Sequence, residues 1–107
     1  MLRAVLAKRM RTMWRLVLMA ALAAPALADE AAEGRALAER WCAACHATGP
    51  AQASGGDAAP AFATLAASRD DAALAAWMAA PHPPMPDPGL SRDQIAALLA
   101  YMKTLRN

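Results

Sequence analysis

The reactive side chains of this sequence are few, and the most telling of them are neighbours. Its two cysteines fall in Cys42-Ala43-Ala44-Cys45-His46, two thiols about one helical turn apart with an imidazole directly after the second. A C-x-x-C-H run suits covalent attachment of haem: the thiols add to two vinyl groups on one porphyrin edge, and the adjacent imidazole falls under the iron as proximal ligand. Three other chemistries use parts of the same run. A thioredoxin-like dithiol expects a strand feeding the motif, and the flanks here are alanine-rich with helical spacing. A zinc site needs four ligands, and outside the run the only further imidazole is His82. A disulfide between residues three apart closes a loop too small to stabilise a fold much, and it leaves His46 without a task. Haem attachment through Cys42 and Cys45, with His46 on the iron, is the one reading that uses all three.

A sixth ligand is expected downstream. The segment Pro81-His82-Pro83-Pro84-Met85-Pro86-Asp87-Pro88-Gly89 gathers five of the eight prolines, so it can be neither helix nor central strand. It reads as a stiff, extended loop. Met78 and Met102 continue apolar helical faces and read as packing, whereas Met85 stands alone among the prolines. A thioether in a stiffened loop loses little further entropy on binding, which favours Met85 as distal ligand. His82 stays open as a rival, because imidazole binds iron more strongly. With both axial positions filled the metal keeps no open site, and the soft sulfur favours the reduced state, so such a centre moves electrons. The alternative is a haem protein that binds or reacts with a small ligand at the iron, which requires the Met85 loop to detach or never to ligate. No residue set for catalysis is present: there is no Ser/His/Asp series, no carboxylate pair near a histidine and no phosphate loop.

The elements that must position these residues read as helices. Gly34, Leu37, Ala38 and Trp41 recur at i, i+3, i+4 and i+7, with Asp29, Glu30 and Glu33 suited to a helix N-terminus. This stripe runs straight into the cysteine motif. At the other end Ser91-Arg92-Asp93-Gln94 has the form of a capping box, and Ile95, Leu98, Leu99, Met102 and Leu105 continue an apolar period with Tyr101 beside it. A glycine inside a helix costs ~1 kcal/mol against alanine, so Gly34 is expected to admit a second helix at close range, with Tyr101 against it. Between these ends, 47–61 reads as a loop with Gly49-Pro50 and Ser54-Gly55-Gly56-Asp57. A third helix is expected from Ser68 to about Ala80, with Leu74, Trp77 and Met78 on its apolar side and Pro81 stopping it. Asp70-Asp71 at its start reads as a surface pair matched to the helix dipole. No strand is expected, so the fold class is all-α.

The first 28 residues read differently from the rest. Arg3, Lys8, Arg9, Arg11 and Arg15 precede an uncharged run, 16–24, which is followed by Pro25 and by Ala26-Leu27-Ala28. That is the form of a secretory signal peptide over 1–28, cleaved before Asp29, with one domain over 29–107 and a periplasmic destination. The uncharged stretch falls short of the ~20 residues a spanning helix needs, so no stable membrane insertion is expected after cleavage. Across the 107 residues the formal charge is +2, but beyond residue 28 nine acids outnumber six bases, which disfavours nucleic acid as a partner. A chain this short buries only ~60% of its unfolded surface and needs a staple, a role that a covalently held haem would fill.

Taken together, the sequence resembles the class I monohaem c-type cytochromes in a short bacterial form. The resemblance spans the whole segment after the leader and rests on Gly34, Trp41-Cys42-Ala43-Ala44-Cys45-His46, Ala59-Pro60-Ala61-Phe62, Pro84-Met85-Pro86, and Leu90-Ser91 leading to Ala100-Tyr101-Met102. It implies a small cytochrome c fold of three to four helices around one covalently attached haem c per chain, and an electron carrier in place of an enzyme. By the same resemblance Cys42 and Cys45 hold the haem, His46 and Met85 ligate iron, and Gly34 meets Tyr101. Pro60 matches the proline whose carbonyl accepts from the proximal imidazole, although Ala59 stands where a glycine is usual and Gly49-Pro50 competes for the role. The lysine-ringed docking face of mitochondrial members is absent, since Lys103 is the only lysine after the leader. Redox partners, either membrane or periplasmic oxidoreductases, are implied, with the chain a monomer or the small cytochrome subunit of a larger complex.

Overall fold

The structure, a computed structural model, describes residues 2–50 and 59–106, and for 16–25 the backbone alone. The middle of the expected loop, with Ser54, Gly55, Gly56 and Asp57, lies outside the described residues. So do the side chains of the apolar run 16–24. Four helices follow one another: α1 (Leu2–Trp41), α2 (Phe62–Ser68), α3 (Asp71–Ala79) and α4 (Arg92–Thr104). No strand occurs among the described residues, and no helix there is long and apolar enough to cross a membrane. The fold is all-α, as expected.

Helix α1 has two parts with different surroundings. Leu2, Val5, Leu6, Met10, Met13, Trp14 and Leu27 are all exposed, while Gly34 and Ala38 are buried against α4. The helix passes residues 28 and 29 without a break, so Asp29, Glu30 and Glu33 lie in its interior and cap nothing. That corrects the expected N-terminus: a helix that continues upstream leaves no free backbone N–H groups for those carboxylates to meet.

The close approach at Gly34 is as expected. A Cβ built on Gly34 would collide with the Ala97 carbonyl oxygen and lie 2.9 Å from Tyr101 Cβ. Only a residue without a side chain lets α1 and α4 cross at this distance. An exposed helical glycine usually gains ~1 kcal/mol on change to alanine; here the backbone of α4 would have to move, a type of overpacking that costs about 1–3 kcal/mol. Gly34→Ala should therefore lower the denaturant midpoint of the folded protein, and an unchanged or raised midpoint would contradict this crossing.

Helix α4 supplies most of the core. The Ser91 side chain accepts from Gln94 N at 3.1 Å and the Gln94 side chain accepts from Ser91 N at 2.9 Å, completing the capping box. Ala97, Leu98, Tyr101, Met102 and Leu105 are buried, facing Ala38, Phe62, Ala66 and Leu74 from the other three helices. Ile95 and Leu99, on the edges of the stripe, are half-buried. Leu98 and Met102 are the most deeply buried large side chains among the described residues, and Phe62, Leu74, Tyr101 and Leu105 complete a small core around them.

Two expectations in the middle of the chain are corrected. Ser68 does not begin the third helix; it ends α2, a seven-residue helix with no side-chain cap, and its hydroxyl donates back to Thr64 O at 2.8 Å. Helix α3 starts at Asp71, because Asp70 is the N-cap and accepts from Ala73 N at 2.7 Å. The two aspartates consequently do different work. Asp71 reaches across to α4, 3.1 Å from Lys103 Nζ and 2.8 Å from Arg106, and these two cations hold its carboxyl below the usual range. Arg106 also donates to Ala66 O at 2.8 Å and Arg69 O at 3.2 Å, tying the α2–α3 corner to the end of α4.

Candidate functional site

The cysteine motif sits where α1 ends. Cys42 N and Ala43 N both donate to Ala38 O, at 2.9 and 3.0 Å, and Cys45 N and His46 N both donate to Cys42 O, at 3.1 and 2.9 Å. One tight turn thus carries both thiols and the imidazole. The cysteines are free, Cys42 half-buried and Cys45 exposed, and burial pushes the Cys42 thiol above its ordinary pKa.

Three bonds fix the strand of chain that leaves the motif. His46 Nδ1 lies 2.6 Å from Pro60 O. A carbonyl oxygen can only accept, so Nδ1 carries a proton, and in the neutral ring this leaves the lone pair on Nε2. Phe62 N donates to Ala47 O at 2.9 Å, and the buried Tyr101 hydroxyl donates to Thr48 O, with burial pushing the phenol above its ordinary pKa. The Phe62 ring packs on His46 at a centroid distance of 5.4 Å, tilted by 60°. Of the two prolines considered as the partner of the imidazole, Pro60 takes the role. Pro50 instead lines a shallow depression beside Ala66 and Leu105.

The proline segment follows α3 as a non-helical loop, 81–91, in which Met85 N donates to His82 O at 3.1 Å. Asp87 accepts from Gly89 N at 2.8 Å, and Gly89 takes a left-handed φ of 67°, a conformation open to glycine. Met85 is half-buried and its sulfur accepts from Trp77 Nε1 at 3.3 Å. His82 is exposed, with its ring 4.8 Å from that of Trp77. Trp77 therefore departs from the apolar role expected of it: Leu74 is buried and Met78 packs against the core, but Trp77 is 44% exposed and turned to the loop. Its only signal in the sequence is an indole placed eight residues ahead of an isolated methionine, which periodicity alone assigns to packing.

The donor set is chemically specific. Two free thiols on one turn, an imidazole with Nε2 available and a thioether outside any helix fit a covalently held haem. Leu37, Leu65, Met78, Leu90 and Leu99 are half-buried against the core, as is Cys42, and such a group would need apolar side chains of this kind around it. Among the described residues no cluster of three or more His, Cys, Asp and Glu could hold a bare metal ion.

Comparison with known proteins gives the same answer. A family model described as cytochrome c matches residues 31–106. The chain belongs to the cytochrome c family. A curated relative, cytochrome c-552 of Bradyrhizobium diazoefficiens, is 41% identical over 83 residues, covering 76% of this chain and 80% of the relative. No solved structure gives a significant match. The protein is thus a class I c-type cytochrome with a single covalently attached haem c, a haem-binding electron carrier and not an enzyme. The matched region begins after the basic segment and takes in every residue of the site just described.

Proposed function

We propose that this cytochrome carries one electron in the periplasm on a haem c bound through Cys42 and Cys45, with His46 and Met85 as the axial ligands. Residues 1–28 act as the signal peptide, and 29–107 form the exported domain. The observation that carries the reading is the 2.6 Å bond from His46 Nδ1 to Pro60 O. It fixes the tautomer, orients the ring, raises the basicity of Nε2 and leaves that atom free to bind metal. The haem supplies the one-electron redox change. The polypeptide supplies the anchor, the ring orientation, a thioether from a stiff loop and an apolar wall that keeps water away. Oxidoreductases of the membrane or the periplasm give and take the electron, and the cytochrome serves them as a free carrier or as the small subunit of a larger enzyme.

Expression in a host able to mature c-type cytochromes tests this directly. The secreted product should have the mass of residues 29–107 plus one haem. Its visible spectrum should be low-spin and six-coordinate, with a weak far-red thioether-to-iron band when oxidised. A bare polypeptide mass would overturn the attachment; a high-spin spectrum, or carbon monoxide binding without denaturant, would overturn the closed His/Met site.

A further inference from the structure

We propose that Trp77 is the positioning residue of the distal ligand: its indole N–H holds one lone pair of the Met85 sulfur, aims the other away from α3 and weakens the sulfur as a donor. The inference rests on the Met85 ligation proposed above. Three features of the chain place it there. Trp77 Nε1 lies 3.3 Å from Met85 Sδ, a distance suited to N–H···S bonding. The His82 ring lies against the indole, tilted, at a centroid distance of 4.8 Å and an angle of 54°. The turn closed by Met85 N and His82 O, 3.1 Å apart, fixes the sulfur-bearing residue relative to the stacking one, so a single bend sets the position of donor and acceptor together.

Packing does not account for this placement. Leu74 and Met78 already supply the buried face of α3, and an indole left 44% exposed gives up much of the apolar burial available to so large a side chain. What the exposed position gains is the N–H directed at sulfur. A thioether whose lone pair is engaged by a donor gives less electron density to a metal. Electron-pair donation favours the more positive oxidised iron, whereas the softness of the sulfur favours the reduced one; a hydrogen bond lowers the first and spares the second, so the bond favours the reduced cytochrome.

Trp77→Phe keeps an aromatic ring and removes the N–H. In the holoprotein it should shift the redox equilibrium toward the oxidised form by about threefold to tenfold, the worth of one modest hydrogen bond, where tenfold corresponds to ~59 mV for one electron. The far-red thioether band should persist in this variant. Trp41→Phe serves as control, since Trp41 is also exposed and borders Cys42; it should leave the potential within twofold. In the reduced, diamagnetic protein the Trp77 indole proton should exchange slowly with solvent despite the ring's exposure. A Trp77→Phe potential equal to that of the wild type or of the control overturns the inference, as does a fast-exchanging indole proton. Met85→Ala separates the two levels. If it leaves the far-red band in place, the ligation reading fails; if it abolishes the band while Trp77→Phe does nothing, only the role of Trp77 fails.

Discussion

Replacing Cys42 or Cys45 with alanine should lower the yield of folded, coloured protein by about tenfold or more, and replacing both should leave a largely unfolded chain. The reason is the small size of the core. Among the described residues its buried side chains are Ala38, Phe62, Ala66, Leu74, Leu98, Tyr101, Met102 and Leu105, while Leu37, Leu65, Leu90 and Leu99 at its margin stay half-buried. Domains of this size have a stability of only a few kcal/mol, so losing the group that apolar surface packs on removes the whole margin. Far-ultraviolet circular dichroism and recovered haem absorbance, measured on the secreted product, check both variants. A cooperative unfolding transition in the double variant without haem would show that the polypeptide folds alone.

The second large effect concerns Met85. Met85→Ala should lower the reduction potential by roughly 0.1–0.3 V, a fraction of the ~0.8 V range over which axial ligands set haem potentials. It should also abolish the far-red band and allow carbon monoxide to bind the reduced protein. Oxidation of Met85 to its sulfoxide acts in the same direction, because one sulfur lone pair is then tied to oxygen and the sulfur becomes a harder, poorer ligand. Potentiometry with and without carbon monoxide distinguishes the outcomes. A variant with unchanged potential and spectrum would transfer the distal role to His82, which stands at the other side of the same turn.

Residue chemistry was readable where it depends on short spacing. The cysteine run, the Ser91–Gln94 cap and the α4 stripe are local patterns, and each folds as its spacing predicts; the proline segment is a loop as expected, but it closes a turn from His82 to Met85 where an extended run was expected. The Gly34 crossing was also legible, since a glycine amid an apolar stripe has few other uses. What escaped depends on choices among similar local signals. Ser68 and Asp70 are both good N-caps, and only the structure shows Ser68 bonding back into α2 while Asp70 starts α3. Helix α2 is seven residues long, too short to display a period. Pro60 and Pro50 could not be told apart because either lies within reach of His46 along the chain, and the Phe62–Ala47 bond that brings Pro60 close is a tertiary contact. The bridge from Asp71 to Lys103 and Arg106 likewise joins residues far apart in sequence, where no spacing rule applies.

The meeting of Gly34 with Ala97 sets the order in which this cytochrome can be made. These contacts join the beginning of the domain to its last helix, so the core stays open until almost the final residue has been synthesised. With the leader proposed here, a nascent chain in that condition threads a translocation channel without first having to be pulled apart. Under that proposal it would reach the far side with Cys42 and Cys45 still uncovered. Only after that would the Gly34 crossing close the first helix against the last.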